Sequence, residues 1–407
     1  MSSWEPVRLA SVGLGGYAGA MSDNFVRVAA EKNPPIKLEA ICEPDQKLHA
    51  ERVAKLKSLG VKVFAELDEM LAEPVEAVWL PLPIDLHRSF TEKVAAAGKS
   101  VICEKPAAGS LDDLEAMIAA RDKAGVKGAI AFQDIYDDVN LAVKKELLSG
   151  MIGKIKQVTL HACWTRGEKY YGRSTWAGKN KRNGVWVMDS PANNALAHYI
   201  NLALFFMGTT ERSWADPVSV AAELYRVNPI ETYDTCSLRV TVEGQIPLLI
   251  LLTHACQLQT LPRIDIEGAR GRLRYVATDQ AIFESNSAHK TISLKSDNRG
   301  QMIHKLARWI RGTGNELVAS FESARHHLKI INGASEATAV RTIDPKYVQV
   351  ITKPEGEKLR AIPDIEAAFA KCATSSEMLS ESGLVPWAVP PGVKSLENYH
   401  SFAGPLK

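Results

Sequence analysis

Three small residues near the start of the chain have the spacing of a phosphate-binding turn. Gly13, Gly15 and Ala18 follow the apolar run 7–12 in the order G-x-G-x-x-A. The first glycine permits a tight turn, the second lets the backbone approach a diphosphate, and the small third residue lets a helix pack on the strand. The N-terminus of that helix then faces the phosphates. This spacing predicts a dinucleotide site, and a tight turn without a ligand is the alternative.

An acidic residue follows the next apolar run, 36–42. Glu43 is in the position where a carboxylate accepts hydrogen bonds from the hydroxyls of an adenosine ribose. Glu43 and Asp45 would repel a 2′-phosphate, and no arginine follows them immediately. The sequence therefore favours NAD as the cofactor, although Lys47 and Arg52 lie nearby in the sequence and leave NADP possible.

A lysine closely follows the apolar run 100–103. The segment 97–106 reads AGKSVICEKP, so that Glu104, Lys105 and Pro106 come directly after a predicted strand. Residues at the carboxyl ends of parallel strands lie in the crevice where doubly wound sheets bind ligands. Pro106 ends the strand because it has no N–H to donate. A lysine here can contact both the ribose of a cofactor and the oxygen that reacts.

The segment 161–182 interleaves aromatic and basic residues. Aromatic rings offer flat faces to sugar rings, and Arg and Lys bind hydroxyls or a carboxylate. We predict substrate contacts from Arg166, Tyr170, Trp176 and Lys179, and the cations favour an acidic sugar such as a uronate. A solvated loop is one alternative. Stacking on RNA is another, but the overall charge gives it no support.

Strands and helices alternate in the part of the chain that positions the first three features. Predicted strands are 7–12, 36–42, 61–64, 77–80, 100–103 and 127–131, and predicted helices are 17–31, 45–59, 67–72, 86–97 and 112–124. Such alternation predicts an α/β fold with a parallel, doubly wound Rossmann sheet. We place this dinucleotide-binding domain at 1–133.

Longer β segments follow from about residue 154. Predicted strands are 155–163, 218–225, 234–241, 247–254, 263–267 and 272–275, and predicted helices are 194–207, 301–310 and 321–341. This pattern predicts an α+β domain with an antiparallel sheet at 134–380, which would bind substrate and form oligomer contacts. An extended C-terminal tail at 381–407 is expected to pack on its surface.

The bulk composition is that of a globular enzyme. The 407 residues carry a formal net charge of only +2, which disfavours nucleic acid and anionic membranes as partners. No apolar run approaches the length of a membrane span, and the first residues do not form a secretory signal. The six cysteines include no C-x-x-C pair and are expected to be buried free thiols. We expect a cytoplasmic protein.

Several motifs together carry a resemblance. They are GLGGYAG at 13–19, AVWLPLP at 77–83 followed by Leu86 and His87, AGKSVICEKP at 97–106, IGKI at 152–155, and the block 188–208. With these motifs, the sequence resembles the glucose–fructose oxidoreductase / inositol dehydrogenase / rhizopine-catabolism family. The resemblance implies a Rossmann domain followed by a domain with a large open antiparallel sheet, whose exposed face mediates homodimers or homotetramers. Family members mostly oxidise one hydroxyl of a sugar, polyol or sugar derivative.

The resemblance also implies site residues. The family's catalytic lysine falls on Lys105 and its catalytic histidine on His198. The full set of predicted cofactor contacts is Gly13, Leu14, Gly15, Gly16, Tyr17, Ala18, Glu43, Leu82, Pro83, His87, Glu104, Lys105 and Gln133. The substrate set includes Asp189 and Asn193 in addition to the four residues of the loop. No metal is expected, because His87, His254, His326 and His327 show no ligand spacing with a third partner.

The sequence departs from the family pattern beside the histidine. Asn194 and Asn201 stand where the family has aspartates. Asn194 and His198 would share one face of a helix, but an amide cannot take a proton. Asp189 is either a spatial substitute for the missing carboxylate or a helix N-cap. Either His198 is the general base while Lys105 stabilises charge on the substrate oxygen, or Lys105 is itself the base.

The leading functional prediction is an NAD(P)-dependent oxidoreductase acting on the hydroxyl of a small-molecule carbohydrate or polyol. One alternative is a redox-assisted lyase, hydrolase or epimerase that keeps NAD tightly bound and returns the hydride. The other is a non-catalytic regulator that senses NAD, against which the presence of both Lys105 and His198 argues.

Overall fold

The computed structural model describes residues 5–286 and 288–407, which divide into two compact units. Unit 1 contains the described residues of Met1–Ala108, Asp113–Asp138 and Asp297–Ala324, and unit 2 contains those of Gly109–Asp112, Val139–Ser296 and Arg325–Lys407. The predicted limits, 1–133, 134–380 and 381–407, differ from this division. The main difference is the segment 297–324, which belongs to unit 1.

Helices and strands are numbered in chain order. The strands are β1 (Val7–Val12), β2 (Ile36–Cys42), β3 (Lys62–Phe64), β4 (Ala77–Leu80), β5 (Ser100–Cys103), β6 (Gly128–Ile130), β7 (Ile155–Cys163), β8 (Lys181–Arg182), β9 (Val185–Trp186), β10 (Pro217–Arg226), β11 (Thr235–Val242), β12 (Ile246–Thr253), β13 (Arg263–Gly268), β14 (Gly271–Val276), β15 (Gln280–Ser285), β16 (His289–Ser293), β17 (Arg341–Thr342), β18 (Gln349–Thr352), β19 (Lys358–Ala361) and β20 (Gly392–Ser395). The α-helices are α1 (Gly16–Ala29), α2 (Ala50–Ser58), α3 (Leu67–Leu71), α4 (His87–Ala96), α5 (Leu111–Ala124), α6 (Asp138–Leu148), α7 (Glu168–Tyr171), α8 (Ala197–Met207), α9 (Asn298–Arg311), α10 (Ser323–Ala337), α11 (Ile365–Ser375) and α12 (Leu379–Ser382).

Unit 1 is a Rossmann fold. Its six parallel strands lie in the order β3-β2-β1-β4-β5-β6, so the strand order reverses between β1 and β4. Ligands bind at this reversal in open α/β sheets, outside the carboxyl ends of the strands. Every residue of β4 is buried, as expected for a parallel strand covered on both faces. The predicted doubly wound sheet is confirmed.

Helix α9 completes unit 1 although it lies far from the other segments in the sequence. It contacts α1, β1 and β2. Asp297 caps its start by accepting a hydrogen bond from the Gly300 N–H at 3.0 Å, and Gly312 ends it at φ +69°. Arg311 at its C-terminus donates to Glu76 at 2.8 Å. These contacts explain why a segment expected in the second domain belongs to unit 1.

Unit 2 is built on a ten-stranded mixed sheet. The order is β16-β15-β14-β13-β7-β12-β11-β10-β17, and β20 also pairs with β10. Most neighbours are antiparallel, but β7 with β12 and β10 with β17 are parallel. The predicted antiparallel sheet is therefore confirmed in its main part and corrected to a mixed sheet.

The central strands of this sheet are covered on both faces. Side chains alternate between the faces of a strand, and all residues from Leu248 to Thr253 of β12 are buried. Leu249 and Leu251 belong to a cluster with Ile365 and Phe369 of α11, while α8 contacts β7. Helix α11, which the sequence patterns did not predict, therefore covers the centre of the sheet on one face.

The C-terminal segment is part of unit 2 and not a separate tail. Strand β20 pairs antiparallel with β10, and the Phe402 N–H donates to Asp112 at 2.8 Å. The Leu406 N–H donates to the Ser335 carbonyl at 2.8 Å. All six cysteines are buried and free, as predicted. Among the described residues, no helix is both long and apolar enough to cross a membrane.

Candidate functional site

The glycine turn joins β1 to α1 in a conformation that suits a diphosphate. Gly13 has φ +89°, which glycine adopts without strain, and a Cβ there would lie 3.3 Å from the Cβ of Ala18. Helix α1 begins at Gly16, and its N-cap residue, Gly15, has no side chain that could accept from the first N–H groups. A Cβ on Gly16 would meet no atom within 4 Å. The first N–H groups of α1 therefore border open space, which is the arrangement that binds anions.

Glu43 is anchored at the end of β2 by backbone donors. The Leu14 N–H donates to one carboxylate oxygen at 2.7 Å, and the Asp45 N–H donates to the other at 2.8 Å. The side chain is buried. Each oxygen retains a second acceptor position, so the carboxylate can also accept from ribose hydroxyls. The glycine turn and the predicted ribose-binding acid thus meet directly in unit 1.

Arg52, the nearby cation that left NADP possible, has other partners. Its guanidinium donates to the Gly19 carbonyl at 2.6 Å and to Asp23 at 2.8 Å. These contacts hold Arg52 against α1. A guanidinium so engaged is not a ready partner for a 2′-phosphate, and this geometry favours NAD.

Glu104 and Lys105 follow β5 at its carboxyl end. The Trp79 indole N–H donates to Glu104 Oε1 at 3.0 Å, and the Lys105 N–H lies 3.3 Å from Oε2. Burial raises the pKa of Glu104 to about 7. The Lys105–Pro106 peptide bond is cis, and the Lys105 side chain is half-buried.

The other predicted cofactor contacts of unit 1 have different environments. Both ring nitrogens of His87 lie near backbone carbonyls, with Nε2 2.9 Å from Leu82 O and Nδ1 3.0 Å from Pro106 O. His87 therefore positions the chain after Lys105, and a direct cofactor contact stays a prediction. Pro83 precedes a 3₁₀ turn at Ile84–Leu86. Gln133 begins another, and its buried Oε1 has no hydrogen-bond partner in the described structure.

Arg299 lies beside the glycine turn although the sequence patterns did not indicate it. Its guanidinium is 5.7 Å from the centre of the Tyr17 ring. Its buried Nε has no hydrogen-bond partner among residues 5–286 and 288–407. No local pattern could have found it, because its proximity to Tyr17 depends on the packing of α9 against α1.

The chain before α8 is not the continuous helix that the sequence predicts. Residues Pro191–Ala195 form one π-helical turn, capped by Ser190 Oγ, which accepts from the Asn193 N–H at 3.1 Å. Leu196 then leaves the helical region at φ −112°, and α8 begins at Ala197. Asn194 and His198 therefore do not share one helical face, because the wider turn and its break lie between them.

Asp189 is not the helix cap, since Ser190 has that role. One carboxylate oxygen accepts from Asn194 Nδ2 at 2.7 Å, and the other accepts from the Gly178 N–H at 2.7 Å. Arg173 approaches the second oxygen at 3.6 Å. Asp189 thus joins the aromatic and basic loop to the turn before α8. Asn193 is fully buried and donates to the Val187 carbonyl at 3.1 Å.

Two of the predicted loop residues, Arg166 and Tyr170, lie together with Arg173, which was not predicted. Arg166 and Arg173 lie over Tyr170, with their Cζ atoms 4.9 Å and 3.7 Å from the ring centre. Arg173 also lies 4.9 Å from the ring of Trp176. Lys179 differs from the other three predicted residues, because it pairs with Glu231 at 2.9 Å.

His254, at the end of β12, adds an imidazole that we did not assign to the site. Its Nδ1 lies 3.3 Å from the hydroxyl of Tyr171, and its ring packs edge-on against Tyr170 at 5.4 Å. Burial, together with Arg166 and Arg173, holds its pKa well below the ordinary value. The imidazole is therefore neutral. The parallel pairing of β12 with β7, which leads into the same loop, brings His254 there, and no local sequence pattern indicates this pairing.

The helix that carries His198 is held at its other end by Lys144. This buried lysine donates from Nζ to the carbonyls of Phe205 and Gly208, which end α8. Cations at helix C-termini satisfy carbonyls that have no partner within the helix. His198 itself is the second residue of α8 and is half-buried. In the part of the chain described, no group of three His, Cys, Asp or Glu is placed to hold a metal.

Two family models match the chain. Residues 7–132 match the oxidoreductase family with the NAD-binding Rossmann fold, and residues 140–274 match the GFO/IDH/MocA C-terminal domain. The chain belongs to the GFO/IDH/MocA family. The predicted resemblance is confirmed, and so is NAD binding by the Rossmann domain, whose glycine turn and Glu43 fit the cofactor.

Curated relatives of this GFO/IDH/MocA chain include two dehydrogenases. It is 27% identical over 267 residues to the D-apiose dehydrogenase of Paraburkholderia graminis, covering 63% of this chain and 65% of the relative. It is 31% identical over 152 residues to the inositol 2-dehydrogenase of Rubrobacter xylanophilus, covering 37% and 42%. The chain thus spans less than two thirds of the length of these relatives.

A solved structure covers more of the chain. The WlbA dehydrogenase from Bordetella pertussis, in complex with NADH and UDP-GlcNAcA, has a TM-score of 0.69 and 26% identity. The match covers 82% of this chain and 98% of that one. This match agrees with the fold described above and with the oxidoreductase family that the family models identify.

Proposed function

We propose that this protein is an NAD-dependent dehydrogenase that oxidises one hydroxyl of a sugar, polyol or sugar derivative. The observation that carries the proposal is the pairing of the Gly13–Ala18 turn with the anchored carboxylate of Glu43. Relatives named D-apiose dehydrogenase and inositol 2-dehydrogenase support the substrate class. When bound, the nicotinamide supplies the hydride acceptor.

The chain's own residues would handle the proton and the charge. Lys105 would donate to the substrate oxygen and stabilise negative charge that develops there. His198 would take the hydroxyl proton as general base. If Lys105 is instead the base, the pH dependence of kcat will persist in His198→Asn and vanish in Lys105→Met. Asn194, which donates to Asp189, would position the turn before His198.

The remaining cofactor contacts are proposed from the same geometry. The N–H groups at the start of α1 would bind the diphosphate, and Glu43 would bind the adenosine ribose. Gln133 offers a buried amide oxygen that lacks a partner in the described residues. We propose a cytoplasmic homodimer or homotetramer as the functional form.

The test mixes the purified protein with NAD or NADP and a panel of sugars, polyols and sugar acids, and follows nicotinamide reduction by absorbance. We expect reduction with NAD that is lost in Lys105→Ala and retained in Lys93→Ala, an exposed lysine of α4. NAD bound to the purified protein, with substrate conversion by NMR but no net reduction, would replace this proposal with the hydride-returning enzyme. NAD binding without conversion of any compound would support the regulator.

A further inference from the structure

Arg166 has no acidic partner in the described residues of unit 2. Its Nη1 donates to the carbonyl of Thr165 at 3.1 Å, and its Nε is buried without a hydrogen-bond partner. Its guanidinium faces two rings, with Cζ 5.4 Å from the centre of Trp164 and 4.9 Å from that of Tyr170. A cation beside two rings that has a buried N–H without a partner can bind an anion.

Two other buried nitrogens in the same cluster lack partners among the described residues. They are the indole Nε1 of Trp164 and Nε2 of His254. His254 is 2% exposed, and its ring contacts Tyr170, the ring over which Arg166 lies. Buried polar groups in native proteins are almost always satisfied, so a cluster of unsatisfied nitrogens indicates where a polar ligand binds.

The local charge is positive. The guanidinium of Arg173 lies over the rings of Tyr170 and Trp176. The carboxylate of Asp189 lies 3.6 Å from it. Asp189 already accepts from Asn194 and from the Gly178 N–H. Arg166, Arg173 and Asp189 together therefore carry an excess of one positive charge, and Asp189 approaches only Arg173.

The backbone around Arg166 is fixed before any ligand binds. The Arg166 N–H donates to the His254 carbonyl at 3.1 Å. A Cβ on Gly167 would lie 2.5 Å from Glu357 Oε1 and 2.6 Å from Leu359 Cδ2, so the loop packs closely against the β18–β19 hairpin. Arg360 of the hairpin also pairs with Glu168 at 3.1 Å. Such preorganisation reduces the entropy lost when a ligand is bound.

We propose that Arg166 binds a carboxylate of the substrate, so that the enzyme oxidises a sugar acid, either a uronate or an aldonate, in preference to the neutral sugar. This proposal rests on the proposed function and specifies its substrate. The planar fork of N–H donors on a guanidinium matches a carboxylate with two parallel hydrogen bonds. The single excess charge matches a monoanion better than a phosphate dianion.

The test measures binding by calorimetry, with and without saturating NADH, for matched pairs of acid and neutral sugar. The pairs are D-glucuronate with D-glucose, D-galacturonate with D-galactose, and D-gluconate with D-glucitol, and D-glucose 6-phosphate is the phosphate probe. We expect at least one acid to bind more tightly than its neutral partner. Arg166→Met should weaken that acid on the order of 10- to 100-fold, the range of a charge-assisted hydrogen bond, and Arg166→Lys should restore part of the loss.

Arg272→Met is the matched control, because Arg272 is exposed and pairs with Glu284 on the sheet. It should leave acid binding unchanged, and melting temperatures establish that each variant is folded. Equal affinity for acids and neutral sugars, tighter binding of the phosphate, an unaffected Arg166→Met variant, or no binding of any acid would overturn the proposal. Reduction of NAD with neutral sugars alone would overturn the carboxylate site and leave the proposed dehydrogenase intact. Tight acid binding that depends on Arg166, without any NAD reduction, would support the carboxylate site and overturn the dehydrogenase.

Discussion

Asn194 Nδ2 donates to Asp189 Oδ1 at 2.7 Å, so the amide at position 194 completes the hydrogen bonding of a buried carboxylate. The family pattern places an aspartate at position 194. In this chain such a residue would face Asp189 directly. The amide and the carboxylate are therefore complementary, and the departure from the family pattern has a structural reason.

We expect Asn194→Asp to destabilise the protein by about 1–3 kcal/mol at pH 8, because the new carboxylate at this half-buried position repels the buried Asp189 and one hydrogen bond is lost. The pair would share a proton at lower pH, with one pKa raised. The loss should accordingly be smaller at pH 5 than at pH 8. Chemical unfolding at the two pH values measures both quantities.

The exchange variant Asp189→Asn/Asn194→Asp is the control for this prediction, since it restores one amide and one carboxylate. It should recover part of the stability lost in Asn194→Asp. An Asn194→Asp protein as stable as the parent at pH 8 would show that the two side chains do not depend on each other.

Glu104 should contribute a loss of stability as the pH rises from about 4.5 to 7, whereas the buried His87, His161 and His254, whose pKa values burial lowers, contribute in the opposite direction. Burial raises the pKa of this carboxyl from 4.5 to about 7, so the folded state keeps a proton that the unfolded chain has already released. A shift of this size corresponds to about 3 kcal/mol across the window. The difference in the free energy of unfolding between the parent and Glu104→Gln, measured by denaturant titration at pH 5, 6, 7 and 8, isolates this loss.

Glu104→Gln should reduce that dependence, since glutamine does not titrate, while its Oε1 can still accept from Trp79. Asp134, whose pKa burial raises to about 6, would still contribute in the same direction. A parent and variant with the same pH profile would assign the dependence to groups other than Glu104.

Lys144→Met should cost about 2–4 kcal/mol of stability, because it removes a donor from the buried carbonyl of Gly208 and one of the two donors to the carbonyl of Phe205, which also accepts from the Gly208 N–H. Lys145→Met is a close control, since the neighbouring lysine is exposed on the same helix. It should change stability by less than about 0.5 kcal/mol. Thermal and urea unfolding of both variants compare the two positions, and equal losses would argue against a specific role for Lys144.

Arg299→Met should weaken NAD binding about 10-fold, because the guanidinium beside Tyr17 would otherwise attract the diphosphate. The effect should decrease at high salt, since the interaction is between charges. Arg308→Met on the same helix removes an arginine that pairs with Glu316 and should leave the Kd for NAD unchanged. Fluorescence titration with NADH measures this, and an equal Kd for both variants would exclude the contact.

Local patterns were sufficient for most of the Rossmann unit. Strands β1, β2, β4 and β5 have the predicted limits, because each is a short, mostly apolar segment whose ends are marked by glycine, proline or charged residues. Strands β15 and β16 were missed. Their pattern is weak because β16 is mostly exposed, so few of its residues need to be apolar.

The candidate site was predictable only where one short segment defines it. The glycine turn and Glu43, which were each predicted to bind the cofactor, contact each other, since a turn and the end of the neighbouring strand determine their positions. The π-helical turn at Pro191–Ala195 was not predictable, because a single wide turn leaves no periodic pattern. Arg299 and His254 come close to the predicted residues only through tertiary packing, which spacing along the chain does not report.

The position of α9 in the chain has a consequence for synthesis on the ribosome. All six strands of the first sheet are translated by residue 130, but the helix that packs on β1 and β2 begins only at Asn298. At about 5–20 residues per second, the nascent Rossmann sheet waits roughly ten to thirty seconds for this cover. During that interval the apolar surface that α9 covers is exposed to other chains. If translation stalls or terminates early, the fragment should therefore aggregate unless chaperones bind it.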